Sequence, residues 1–221
     1  MPGALVWDKS GERFYETGVR KGVLYVQDES GNYPKGVVWN GLTNMTVSPT
    51  GAEPTPLYAD DIKYLTLMSA EELGGTIEAY SSPVEFDACD GTAEAAKGVY
   101  IGQQTRKTFG LVWQTIIGND LKGENYGYKL HLVYGALASP TEKSYATLND
   151  SPEVDPLSWE YTTTPINVDG HKPTAYIVID STKADPTKLA ALEKKLFGDS
   201  AAEAQLPLPS EVITMMATEE P

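Results

Sequence analysis

Residues 37–91 read VVWNGLTNMTVSPTGAEPTPLYADDIKYLTLMSAEELGGTIEAYSSPVEFDACDG, and the hydrophobic pattern of this stretch changes twice. In residues 37–47 apolar and small polar residues interleave, which is typical of a partly solvated strand. This alternation is absent from residues 48–58 and returns in residues 62–80, around a Gly-Gly break. The stretch therefore predicts a strand, a loop and a second strand, and both faces of the second strand are half apolar.

The segment between the two strands is rich in residues that oppose regular pairing. Its three prolines cannot donate to a ladder, and its glycine favours a turn. We expect an exposed arm without regular structure that consists of Ser48, Pro49, Thr50, Gly51, Ala52, Glu53, Pro54, Thr55, Pro56, Leu57 and Tyr58. Structureless loops of this length are unusual in compact domains unless they have a function. Composition alone leaves two interpretations open, a binding loop and a solvated hairpin tip.

Four later segments also have strand patterns. Residues 106–117, RKTFGLVWQTII, are almost continuously apolar after Phe109, which predicts a central strand covered on both faces. Residues 128–134 alternate between Tyr or Leu and more polar residues, and residues 157–166 and 175–180 give two more strands.

Two segments carry helix signals. Ser82, followed by a proline, predicts the cap of a one-turn helix that ends at Gly91. Asp185 and Pro186 predict the start of a longer helix, which Gly198 closes. The apolar positions of this helix recur with helical spacing at Leu189, Leu192 and Leu196. Because this stripe is only one leucine wide, the helix must pack against the sheets.

The pattern as a whole predicts a mainly β domain over residues 1–198, a sandwich or small barrel with a helix packed on it.

Leu5, Val6 and Trp7 form an apolar N-terminal arm that could pack on this subunit or on a neighbour. Residues 199–221 contain five acidic residues and no Lys or Arg, so the rest of the chain carries −9 of the net charge of −14. We expect this acidic, proline-containing tail to be mostly flexible.

Charge and composition exclude several classes of protein. The net charge of −14 argues against a nucleic-acid-binding surface, since phosphate binding needs clustered Lys and Arg. The only concentrated basic pair in the sequence is Arg106-Lys107. No apolar run reaches the length of a membrane span, and the N-terminus lacks the features of a signal peptide, so we expect a cytoplasmic chain. The single cysteine, Cys89, has no partner for an internal disulfide.

No catalytic or ligand-binding motif is present in the sequence. The glycine patterns of phosphate loops and of nucleophile elbows do not occur. His131 and His171 lie far apart, and a structural role is the better interpretation of each. The carboxylate pairs Asp60-Asp61 and Glu71-Glu72 are adjacent in sequence, so on a strand the two side chains of each pair point to opposite faces. We therefore expect a protein that is not an enzyme and that has no cofactor or metal.

The sequence resembles the major tail protein, or tail tube protein, of long-tailed (siphovirus-type) bacteriophages. The resemblance is collinear from about Trp7 to Gly198 and rests on the number and order of the matching words, none of which has a catalytic meaning. The matching words are WNGLT (39–43), SPTGAEPTPLYADDIKYLTLMS (48–69), GTIEAY (75–80), DACDG (87–91), IGQQTRKTFGL (101–111), YGYKLHLVYGALASP (126–140), TTTP (162–165) and GHKPTA (170–175).

This resemblance implies the tail tube fold, which has two packed antiparallel β-sheets flanked by an α-helix. In that family six subunits form a ring whose inner sheets join into one barrel, and the rings stack into the tube that carries DNA into the host cell. It implies a location in the virion tail, with assembly in the host cytoplasm. The implied partners are further copies of the chain, a tape measure protein, a tail terminator and a baseplate or distal tail protein, with DNA passing through the lumen unbound and no membrane partner.

The resemblance also assigns expected roles to particular residues. It places the contact between stacked rings in residues 48–58, with further contacts from Leu5, Val6 and Trp7. A wall that DNA slides past should be acidic or neutral. If the strands of residues 37–80 line the lumen, their polar face would present Glu78, with Glu72 near the rim; the other interpretation places both on the outer surface. The rival class of function is a monomeric carbohydrate-binding or accessory β-sandwich, because four tryptophans and thirteen tyrosines could supply stacking platforms.

Overall fold

The computed structural model describes residues 4–145, 147 and 154–217. The protein is mainly β, with 47% of residues in strands and 13% in helices, as the hydrophobic pattern predicts. The strands are β1 (Phe14–Val26), β2 (Gly36–Val38), β3 (Leu42–Gly51), β4 (Pro54–Ala59), β5 (Ile62–Met68), β6 (Glu71–Ala79), β7 (Ala93–Ala96), β8 (Val99–Ile101), β9 (Phe109–Asn119), β10 (Gly123–Ala138), β11 (Leu157–Thr163) and β12 (Tyr176–Asp180). The α-helices are α1 (Asp87–Asp90), α2 (Pro186–Phe197) and α3 (Pro209–Met216).

Eight strands form one antiparallel sheet in the order β2-β1-β9-β10-β11-β6-β3, and β12 pairs with β10 beside this path. The resemblance implies two packed sheets, whereas here hydrogen bonds join the eight strands into a single sheet. This sheet curls, since Leu42 of β3, at one end of the strand order, lies directly over Gly22 of β1, near the other end. Its outer strands therefore approach each other, as in a partly closed barrel.

Strand β10 changes partner at Gly135. Its residues 129–133 pair with β12, whereas residues 136–138 pair with β11. Gly135 has a φ of 59°, and a Cβ atom there would lie 2.3 Å from the carbonyl oxygen of Thr164, so this bulge requires glycine. The bulge bends the sheet and separates the part that carries the helices from the part that carries β11, β6 and β3.

Hydrophobic cores lie on both faces of the sheet. Leu24 points to one core, while its neighbours Val23 and Tyr25 point to the other. The first core contains a cluster of aromatic rings, with centroids 4.6 Å apart for Trp39 and Phe86 and 5.7 Å apart for Trp39 and Trp159. Strand β9 is buried on both faces, which confirms the prediction of a covered central strand.

Helix α2 covers the second core and begins as the sequence predicts. The Asp185 carboxylate accepts hydrogen bonds from the backbone amides of Thr187 at 2.8 Å and Lys188 at 3.0 Å, and Pro186 occupies the first helical position. The chain leaves the helix at Gly198, where φ is 73°. The predicted stripe faces the sheet, with buried side chains at Leu189, Leu192 and Leu196.

The prediction of a flexible acidic tail is wrong for residues 199–217. The amide of Leu206 donates to the carbonyl of Tyr33 at 3.1 Å, and α3 buries Val212 against the second core. A few well-spaced apolar residues are enough to dock this segment. Its acidic residue Glu211 does not oppose the docking, because it stays at the surface and pairs with Lys195. Residues 218–221 lie outside the described part of the chain.

The short helix after β6 differs from its prediction at one end. Residues 84–86 form a 3₁₀ turn that leads into α1, and Pro83 rather than Ser82 occupies its cap position without a side-chain hydrogen bond. Gly91 ends α1 with a φ of 77°, as predicted. The turn places Phe86 and Cys89 in the first core, where burial raises the pKa of the Cys89 thiol to about 12.

Candidate functional site: a projecting ribbon and an acidic sheet face

Residues 48–58 are not a loop, contrary to the prediction. The β3–β6 ladder continues to the pair Gly51 and Glu71, and a second ladder, β4–β5, begins at the pair Pro54 and Met68. Only Ala52 and Glu53 interrupt the strands. The prolines are tolerated because β3 and β4 each have a partner on one edge only, so a nitrogen that points to the open edge removes no ladder bond. We call β4 and β5 with their turn, residues 54–68, the ribbon.

The end of the ribbon is a two-residue turn at Asp60 and Asp61. Both residues have positive φ, 50° and 61°, and they connect the paired residues Ala59 and Ile62. Aspartate tolerates this left-handed conformation, and turns of this kind match the twist of an antiparallel pair. The adjacent aspartates are therefore the hairpin signal in this segment, which the sequence interpretation missed.

Every residue of the ribbon strands is exposed. The register places Leu57 opposite Leu65, and a bulge beside this pair puts Ile62 on the same face, although simple alternation assigns it to the other face. We call Leu57, Ile62, Leu65 and Leu67 the leucine face. An isolated two-stranded hairpin is only marginally stable in water, and an exposed apolar patch commonly marks an interaction site. The ribbon thus has the properties of an element that another surface covers.

Strands β3, β6 and β11 share a face that is polar and acidic. Glu78 lies between Asn44 of β3 and Ser158 of β11, and two residues along the ladders Thr76 lies beside Glu160. Glu72 continues the same face toward the ribbon, opposite Thr50. None of the three strands contains Lys or Arg. We call Glu72, Glu78 and Glu160 the acidic face; Glu160 was missed from the sequence because the pairing of β6 with β11 is not local.

The N-terminal arm is exposed, and the described residues of its own subunit leave its apolar side chains largely uncovered. Leu5, Val6 and Trp7 are between 64% and 79% exposed. The chain behind them is fixed at Gly11, whose amide donates to both carboxylate oxygens of Asp120 at 3.0 Å. This hydrogen bond is the main reason why the pKa of Asp120 is lowered. The arm therefore leaves the body from a defined point and presents apolar side chains to solvent.

His131 is the centre of a hydrogen-bonded cluster on β9, β10 and β12. Its ring stacks on Trp113 at 5.0 Å, its Nε2 lies 2.8 Å from Thr115 Oγ1, and its Nδ1 lies 2.6 Å from the hydroxyl of Tyr176. The Thr115 hydroxyl donates its one proton to Glu16 at 2.6 Å. His131 must then donate through Nε2 and accept from Tyr176 through Nδ1.

That tautomer cannot remove a proton from Thr115, so the cluster is not an activated nucleophile. Desolvation lowers the pKa of His131 and so favours the neutral ring, although Glu16 acts in the opposite direction. Burial acts to raise the pKa of Glu16, but hydrogen bonds from Lys129 and Thr115 outweigh it and the net shift is downward. The geometry therefore gives His131 the structural role that the sequence interpretation assigns to it.

The described residues lack a metal-binding cluster but expose several aromatic rings. Within residues 4–145, 147 and 154–217 no group of three or more His, Cys, Asp or Glu side chains is arranged to hold a metal ion. Trp39, Trp113 and Trp159 are buried, whereas Trp7 and tyrosines such as Tyr58 and Tyr64 are exposed. Among these same residues no helix has the length and hydrophobicity to cross a membrane.

The chain was compared with protein-family models and with curated proteins. No family model matches it, and none of the curated proteins does.

Proposed function

We propose that the chain is the structural subunit of a long-tailed bacteriophage tail: copies assemble into hexameric rings, and the rings stack into the tube through which DNA reaches the host cell. The observation that carries the proposal is the ribbon, an apolar two-stranded element that projects uncovered from a body whose own apolar faces are well buried. Such an element is only marginally stable in water, and it gains stability when another molecule covers it. The resemblance of the sequence to tail tube proteins implies that this molecule is another copy of the chain.

Two further features support the proposal. Strand β3 has a partner on one edge only, so its other edge is open for pairing with a neighbouring subunit. The acidic face lies on this same three-stranded part of the sheet, where a barrel formed by joined sheets would present it to passing DNA. An acidic wall repels phosphate and does not hold it.

The proposed role needs no catalysis and no cofactor. Its partners are further copies of the chain along the tube, with a tape measure protein inside and a tail terminator and a baseplate or distal tail protein at the ends. The ribbon (residues 54–68), its root (residues 48–53) and the arm at Leu5, Val6 and Trp7 provide the contacts between subunits.

Electron microscopy of concentrated protein tests the proposal. We expect rings or tubes in negative stain, with light scattering that rises steeply with concentration. The matched variants are Leu57→Asp and Thr55→Asp. Both positions lie on the same face of the ribbon, but the native Thr55 is polar and so contributes less apolar surface. The first variant should abolish tubes, and the second should weaken them less. A monomer at all concentrations, with a thermal shift on addition of sugars, would instead support a carbohydrate-binding module.

A further inference from the structure

A second hairpin also lacks a covering surface. Strands β7 and β8, residues 93–101, form a two-stranded sheet of their own, and every residue of both strands is exposed. The base of the hairpin is fixed, since the amide of Gln104 donates to the Gly91 carbonyl at 2.9 Å and Arg106 donates to the Asp90 carbonyl at 3.1 Å. Within the described residues the hairpin is therefore a defined element whose apolar side chains stay about half exposed, with Val99 at 53% and Ile101 at 44%.

The two faces of this hairpin differ in polarity. Ile101 pairs with Ala93 and Val99 pairs with Ala96, so one face is formed only by these apolar residues, which we call the alanine-valine face. The opposite face carries the pair Glu94 and Tyr100. Apart from the bulge between Glu94 and Ala96 in β7, this division into an apolar face and a mixed face is the pattern of a strand pair with one buried face. In the subunit that face is open to solvent.

The ribbon and the base of the hairpin have opposite charge. The ribbon, residues 54–68, contains Asp60 and Asp61 against one Lys63, a net charge of −1. The loop that carries the hairpin, residues 92–107, contains Lys97, Arg106 and Lys107 against one Glu94, a net charge of +2 in a chain of net charge −14. Residues 93–101 are neutral in sum, so the positive charge of this loop comes from Arg106 and Lys107 beside the base of the hairpin, where it favours the approach of the ribbon.

The two apolar faces carry side chains of different length. The leucine face presents long branched side chains, whereas two alanines, Val99 and Ile101 leave a shallow surface on the hairpin. We infer that the leucine face of the ribbon of one copy packs on the alanine-valine face of the β7–β8 hairpin of a second copy. The inference rests on the self-association in the proposed function and names the surface that receives the ribbon.

This contact joins two different surfaces, so it is heterologous. Side chains of both faces are exposed within one subunit, so both are accessible to a second copy. Each pair of joined copies keeps one free leucine face and one free alanine-valine face, so further copies add in the same way. Such contacts form rings or filaments.

Cysteine cross-linking tests this contact. The native Cys89 is buried, so an introduced thiol on an exposed strand reacts first. One chain carries Leu65→Cys, and a second chain with a mass tag carries Val99→Cys. A short bismaleimide, which tolerates an uncertain register, should join the two into a heterodimer in concentrated solution. The control pair is Thr66→Cys with Tyr100→Cys, on the opposite faces of the same strands. We expect at least about tenfold less heterodimer from the control pair.

A second measurement removes the contact without cross-linking. Val99→Asp should weaken association about tenfold or more, since it buries a charge against the leucine face, whereas Tyr100→Asp should change it little. Both positions are exposed, and Val99→Ser serves as a milder variant if circular dichroism shows that the aspartate disturbs the fold.

The outcomes separate this inference from the proposed function. Tubes without preferential cross-linking of residues 65 and 99 overturn the inference and leave the proposed function intact. A specific heterodimer without rings or tubes supports the inference and overturns the proposed function. The absence of both overturns both.

Discussion

Leu57 and Leu65 lie directly opposite each other across the ribbon, and they are nevertheless 42% and 38% exposed. The pair shields itself only in part, and among the described strands β4 and β5 form a two-stranded sheet of their own. Burial of apolar surface stabilises a protein by about 25 cal/mol per Å², and the exposed part of these side chains does not contribute this free energy. The ribbon therefore adds little to the stability of the subunit and becomes favourable when a second surface covers it.

The first prediction concerns removal of the ribbon. Residues 52–70 are replaced by an Asn-Gly turn that joins Gly51 to Glu71, which are paired in β3 and β6. The free energy of unfolding should change by less than about 1 kcal/mol, because shortening an exposed excursion affects mainly loop-closure entropy. Assembly into rings or tubes should be lost.

Circular dichroism and electron microscopy check the two halves of this prediction. Full-length tubes from the shortened chain would show that the ribbon is not an assembly element. A shortened chain that does not fold would show instead that the ribbon stabilises the subunit, contrary to the exposure of its strands.

The second prediction concerns the docked C-terminal segment. Val212 is buried against the second core, whereas the neighbouring Ile213 is exposed. Val212→Ala should lower the free energy of unfolding by about 1 to 3 kcal/mol through lost burial and a residual cavity. Ile213→Ala is the matched control and should change it by less than about 0.5 kcal/mol, as surface substitutions usually do. Equal effects in urea titrations would mean that α3 is not docked in solution.

The elements that could be predicted from the sequence are those whose signals are local. The cap at Asp185 and the leucine stripe define α2 within a few residues, and the apolar run of β9 reports its burial directly. The docking of α3 could not be predicted in this way, because it depends on a bond between Leu206 and the distant Tyr33.

In the candidate site, too, features with local sequence signals could be predicted and features that depend on distant contacts could not. The exposure of the arm at residues 48–58 follows from its composition, but its strand structure depends on which edge of each strand is free, a property of the whole sheet. Glu72 and Glu78 are recognisable as one strand's polar residues. Their neighbour Glu160 becomes visible only when β11 pairs with β6, some eighty residues away along the chain.

The third prediction concerns stability against pH. The pKa of His131 in the folded protein lies below its ordinary value of 6.5, mainly through desolvation, and the pKa of Glu16 lies below 4.5. Groups with lowered pKa stabilise the folded state above their unfolded pKa, and this contribution is lost as the pH falls through the folded pKa. The melting temperature should therefore fall from pH 6.5 downward, with His131 acting first and Glu16 below pH 4.5.

His131→Gln isolates the contribution of the imidazole. The groups that face this ring are Glu16, Trp113, Thr115 and Tyr176 from the neighbouring strands and Lys129 from β10 itself. The variant should be less stable at pH 7 and should lose less melting temperature between pH 7 and pH 5 than the native chain. The matched control is His171→Gln, in an exposed turn, which should keep the native pH dependence. An unchanged slope in His131→Gln would contradict the prediction.

The last prediction concerns the acidic face and rests on the proposed function. If this face lines the tube, Glu78→Lys places one basic side chain in the lumen for every subunit, where it attracts phosphate and slows DNA passage. Tubes should still form, because Glu78 points away from the core residues Ile77 and Ala79. Ejection from purified phage should slow at low salt and recover as salt screens the new attraction. Glu160→Lys should also slow ejection at low salt, since β11 places this residue on the same face. The control is Glu29→Lys, in the exposed turn after β1, which should leave ejection unchanged. Native ejection kinetics at low salt in both acidic-face variants would place that face on the outside of the tube.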